Sequence, residues 1–275
     1  TGFTVQLTAN PAGGTWSGAN VSASGLFDAS GLAAGPYNVT YTYSDANQCT
    51  NSDGAVVTVN ALPTVVANNA EVCTGFTVQL TANPAGGTWS GANVSASGLF
   101  DASGLAAGPY NVTYTYSDAN QCTNSDGAVV TVNALPTVVA NNAEVCTGFT
   151  VQLTAEPAGG TWSGANVSAS GLFDASGLAA GPYNVTYTYS DANECTNSDG
   201  AVVTVNALPT VVANDAEVCT GFTVQLTAEP AGGTWSGANV SASGLFDASG
   251  LAAGPYNVTY TYSDANQCTN SDGAV

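Results

Sequence analysis

Chemistry in this 275-residue chain must come from seven cysteines, nineteen carboxylates and the tyrosine hydroxyls. There is no Lys, Arg or His. Without them there is no imidazole acid/base and no ordinary zinc site. No guanidinium clamp can hold a phosphate, no lysine can form a Schiff base, and no side-chain salt bridge can exist. A net charge of −19 opposes nucleic acid and anionic membrane as partners. An enzyme is therefore not expected, and no catalytic residue is assigned.

The cysteines recur. Cys73 and Cys122, Cys146 and Cys195, and Cys219 and Cys268 are each 49 residues apart. Paired in this way they give 73–122, 146–195 and 219–268, with Cys49 left to a partner upstream of Thr1. The rival scheme joins Cys49 to Cys73 across Pro63. The first is the expected one, because a small domain needs its own staple. Closing a loop of that size stabilises by about 4 kcal/mol in the chain-entropy model. Buried free thiols are the bland alternative. A nucleophilic thiol would lack a base.

Asp118, Asn120, Asn124 and Asp126 crowd one loop. Oxygen ligands so spaced could hold calcium, although the closing Glu of a calcium-binding hand is missing. Asp and Asn are also good turn formers in their own right. Calcium is the only cofactor worth testing. Asp101 reads as a solvated strand end. Trp89 and the tyrosines read as core, with a sugar-stacking platform as the sharper alternative. Asn93-Val94-Ser95 and Asn111-Val112-Thr113 fit the N-glycosylation pattern.

These residues sit on a repeat. Trp16, Trp89, Trp162 and Trp235 recur every 73 residues, so the chain is an array. Cuts before Pro63, Pro136 and Pro209 give units 1–62, 63–135, 136–208 and 209–275. The outer two read as truncated, as in a window of a longer array. The copies differ at polar turn positions only: Asn10 and Asn83 against Glu156 and Glu229, Gln121 against Glu194, Asn142 against Asp215.

Within 63–135 the strongest element is Tyr110–Tyr116. Tyr110, Val112, Tyr114 and Tyr116 alternate with polar residues, the period of a half-buried strand. Shorter strands are expected at Thr64–Ala67, Phe76–Ala82 (with Phe76, Val78 and Leu80 inward), Thr88–Ser90, Asn93–Ser95, Gly98–Asp101 and Ala128–Asn133. Asn124-Ser125-Asp126-Gly127 reads as a turn or bulge. No stretch carries a helical period, and none reaches the roughly 18 apolar residues of a membrane helix. The fold class is all-β: a tandem array of Ig-like antiparallel β-sandwich domains. The Asn-Ala-Leu-Pro links are short and stiff.

Four blocks carry a resemblance: Cys73-Thr-Gly-Phe-Thr-Val-Gln-Leu, Pro84-Ala-Gly-Gly-Thr-Trp-Ser-Gly, Tyr110-Asn-Val-Thr-Tyr-Thr-Tyr and Asp118-Ala-Asn-Gln-Cys. Together they resemble the Ig-like (PKD-like) repeats of giant secreted surface adhesins of gliding Bacteroidetes, exported by the type IX system. One departure is visible. Such modules often read Asn-Gly-Cys where this chain has Asn120-Gln121-Cys122. The resemblance implies an extracellular, cell-surface stalk or filament segment that spaces an adhesive tip from the cell. The alternative is a multivalent glycan- or surface-binding module acting by avidity. Expected partners are neighbouring repeats of the same chain, other copies in a filament, or surface glycans. Nucleic acid and membrane insertion are not expected.

Overall fold

The computed structural model describes residues 3–275. Every regular element among them is a strand. The chain divides into two compact units, Thr1–Ala134 and Leu135–Val275, each holding two copies of the repeat.

The second repeat is the reference. Its strands are β1 (Val66–Ala67), β2 (Ala70–Cys73), β3 (Thr77–Gln79), β4 (Ala82–Asn83), β5 (Thr88–Gly91), β6 (Leu99–Asp101), β7 (Gly108–Ser117) and β8 (Thr123–Asn133). One sheet has the order β5-β7-β8-β2, and two short ladders, β3–β6 and β1–β4, complete the sandwich. Strands β7 and β8 form the spine, paired antiparallel from Gly108↔Val132 to Ser117↔Thr123. The chain is thus a tandem of all-β sandwich repeats.

The alternation read in Tyr110–Tyr116 places Val112 and Tyr114 inside, 2% and 3% exposed. From β8 come Ala128, Val130 and Val132, and Phe100 closes the core with no exposure. Burying one such ring contributes about 2–3 kcal/mol relative to leaving it in water. Each copy of the repeat has its own apolar cluster, centred on Phe27, Phe100, Phe173 and Phe246 respectively.

Several expectations need correction. Strand β2 is parallel to β8, so the sheet is not purely antiparallel. The stretch Asn124–Gly127 is regular strand, in register with Tyr116–Thr113. Phe76 is 55% exposed: its amide bonds to the Cys73 carbonyl in a turn, which breaks the inward phase before β3 begins. Asn93–Ser95 contributes a single bridge, Val94 to Phe100, not a strand.

Candidate functional site

The Gly-Gly-Thr-Trp-Ser-Gly block is built around one tyrosine. The Tyr114 hydroxyl donates to the Pro84 carbonyl at 2.7 Å and accepts from the Gly87 amide at 2.6 Å. A Cβ on Gly87 would lie 2.6 Å from the Tyr114 ring, so glycine is required there. Trp89 packs on Tyr114 with ring centroids 5.0 Å apart and is 5% exposed. The ring has no free face, and the sugar-platform alternative loses its tryptophan.

Three of the four oxygen ligands proposed for calcium, Asp118, Asn124 and Asp126, serve two separate structural tasks. Asp118 Oδ1 accepts from the amides of Asn120 and Cys122, each at 2.9 Å, and so closes the β7–β8 hairpin. Asn124 and Asp126 point from β8 toward the entering chain. Asn124 Nδ2 donates to the Pro63 carbonyl, and Asp126 Oδ2 accepts from the Ala67 amide, both at 2.9 Å. These bonds recur at Asn197 and Asp199 and at Asn270 and Asp272. No group of three or more metal-ligating carboxylates or thiols occurs among the described residues. Asn124 and Asp126 hold the start of the repeat against its spine.

Position 69 has a related role. Asn69 and Asn142 accept the amides of Val129 and Val202 through Oδ1, and Asp215 accepts that of Val275. Asn and Asp offer the same acceptor, which explains why this position varies between copies. Asp101 accepts from the Ser103 amide at 2.9 Å. The Ser103 hydroxyl and amide hold its carboxyl below the usual carboxylate range.

The cysteines give the clearest geometry. Cys146 is bonded to Cys268, with Cα atoms 5.5 Å apart. The expected pairs 146–195 and 219–268 are therefore not formed. Cys73 and Cys195 are also in disulfide form. Among the described residues Cys49, Cys122 and Cys219 are thiols, so neither 73–122 nor the rival 49–73 is present.

The reason lies in strand length. Cys146 ends the counterpart of β2, opposite Asn206. Cys195 lies just before Thr196, at the other end of the same eleven-residue strand, Thr196–Asn206. Eleven residues of strand separate the two by about 36 Å. A disulfide needs Cα atoms within about 4.4–6.8 Å. The hairpin of the following repeat, which carries Cys268, meets that requirement.

One joint is thereby defined inside the second unit. The third repeat offers Cys146 at its exit end. The fourth offers Cys268 in its hairpin and Asn270 bound to Pro209 of the link. The loop closed by the bond spans 122 residues, and such a closure restricts the unfolded chain by about 5 kcal/mol in the chain-entropy model. Constant spacing alone could not reveal this pairing. In an exact repeat every scheme, within or between copies, recurs at constant spacing.

No family model matches the chain, and no curated protein matches it. Solved structures similar to it include a Ca2+-stabilised adhesin with which an Antarctic bacterium binds ice, at 18% identity, covering 95% of this chain and 88% of that one, with a TM-score of 0.35. Repeats EC1–4 of Drosophila N-cadherin match at 11% identity over 98% of this chain and 93% of that one, with a TM-score of 0.22. Immunoglobulin domains 1–5 of Sidekick-1 match at 13% identity over 99% and 76%, with a TM-score of 0.25. Among the described residues no helix is long and apolar enough to cross a membrane.

Proposed function

We propose that the chain is a structural segment of an extracellular repeat array, spacing an adhesive tip from a cell surface. The observation that carries this reading is the Cys146–Cys268 bond. It spends a covalent link on joining consecutive copies, where a self-sufficient binding module would spend it on itself. The units 63–135 and 136–208 act as complete bricks in this reading, with 1–62 and 209–275 as partial ones. Disulfides form and persist in oxidising compartments, which supports an extracellular location. The resemblance to the surface adhesin repeats of gliding Bacteroidetes supports the same location and the role of stalk or filament.

A second reading, multivalent attachment to glycans or surfaces, has one observation in its favour. Phe76 and Leu99 are 55% and 45% exposed, and their counterparts Phe149 and Leu172 repeat the pattern. A recurrent apolar spot could bind weakly many times over. Binding of the whole chain to glycan arrays and abiotic surfaces separates the two. The structural reading expects no saturable binding. Saturable binding that strengthens with the number of repeats would replace it with the second.

A further inference from the structure

The Cys146–Cys268 bond changes which residues carry a pull along the chain. Cys146 closes the strand Ala143–Cys146, and Cys268 immediately precedes the strand Thr269–Ala274. The bond therefore joins the end of one strand to the start of another, across 122 residues of sequence. A chain under tension is drawn taut along its shortest covalent path. Between residues 137 and 275 that path is 137–146, the disulfide and 268–275. Residues 147–267 form a closed loop beside it.

The loop holds most of what makes the two cores. The paired strands Gly181–Ser190 and Thr196–Asn206 lie in it, as do the buried rings of Trp162, Phe173, Trp235 and Phe246. Two of the strands left on the path are pulled from both ends, along their own backbones. Ala143–Cys146 is parallel to Val203–Asn206, and Thr269–Ala274 is antiparallel to Val258–Ser263. With the forces on a strand balanced at its two ends, these ladders carry no net shear. The chain leaves the path at Thr147, whose amide and hydroxyl both donate to the Asn206 carbonyl. Cys268 has no exposed surface, which limits the access of an attacking thiolate to the bond.

We infer that the bond is a mechanical bypass. It routes tension past the cores of the third and fourth repeats, so a pull leaves them folded and the joint nearly inextensible. Without it, the same pull would enter residues 147–267 and draw both repeats out. An extended chain reaches about 3.4 Å per residue. The 122 residues withheld by the bond therefore amount to about 410 Å. The use of such a joint in a stalk rests on the function proposed above, whereas the load path does not, and the traces below test that path alone.

The test stretches single molecules of the intact 275-residue chain by force spectroscopy. One handle is fixed through a non-natural side chain at Thr137, which is exposed, and the other at the C-terminus. The wild-type tether should reach a contour length of only about 60 Å. The Cys146→Ser/Cys268→Ser variant should reach about 470 Å, whether or not it folds stably. A third tether keeps the wild-type chain and moves the first handle to the exposed Ala207, inside the loop. Force then enters the cores, and the contour length should rise to about 230 Å. A wild-type Thr137 tether that lengthens by several hundred ångström, equal traces from Thr137 and Ala207, or a double variant no longer than wild type would each overturn the inference.

Discussion

Tyr114 shows how one hydroxyl fixes a whole block of sequence. Its two bonds, to Pro84 and Gly87, tie the turn before β5 to the spine strand β7. The Tyr114→Phe variant keeps the ring and strands both backbone groups. A loss of about 1–3 kcal/mol is expected from unsatisfied, partly buried partners, read as an earlier urea transition of that repeat. The carboxylates make a second residue-level prediction. Asp28, Asp101, Asp174 and Asp247 are each held below the usual carboxylate range by the hydroxyl, then the amide, of the serine two positions on. A depressed folded-state value gives stability that is present above the unfolded-state value and lost as the pH falls through the folded one. The melting temperature should therefore fall on acidification below about pH 4. The variant with Asn at all four positions should show a shallower fall.

At the scale of elements, the hairpin between β7 and β8 explains the departure from Asn-Gly-Cys. Gln121 has φ +63°, and Gln48, Glu194 and Gln267 share that conformation. Glycine enters this region freely, whereas other residues pay about 1–2 kcal/mol. Gln121→Gly should stabilise its repeat by about 0.5–1 kcal/mol, after allowing for the greater freedom of glycine in the unfolded chain, as thermal melting would show.

The same hairpin marks what could be read in the sequence. Strand β7 was legible because four apolar residues alternate without interruption. Strand β2 was not. In Ala70-Glu71-Val72-Cys73 only Val72 is deeply buried, and its pairing with β8 is a long-range, parallel one that leaves no local pattern. Asn124 and Asp126 were legible as a cluster but not in their role. Their acceptors and donors belong to a segment about sixty residues earlier, which they pin to the core face of β8. Turn chemistry and strand chemistry use the same residue types, and only the partner decides between them.

The whole molecule is a chain of small cores with a covalent tie at a joint. A 73-residue repeat buries little surface for its length, and there is no basic side chain to offset a charge of −19. A link between neighbours compensates for both by limiting how far an opened repeat can separate from the next. Within a repeat the β8 strand holds the two cysteines apart, so only a neighbour's hairpin can close the bond. The most direct measurement of that claim is a peptide map without reduction. Trypsin has no site, so chymotrypsin serves. Differences between copies label the products: Asp215 marks the Cys219 peptide, Glu194 marks the Cys195 peptide, and the chain terminus Val275 marks that of Cys268. The expected result is Cys268 joined to a cysteine peptide that carries Asn142 in place of Asp215, with Cys49, Cys122 and Cys219 open to alkylation. A Cys219–Cys268 peptide, or a chain in which Cys49 alone is alkylated, would contradict it.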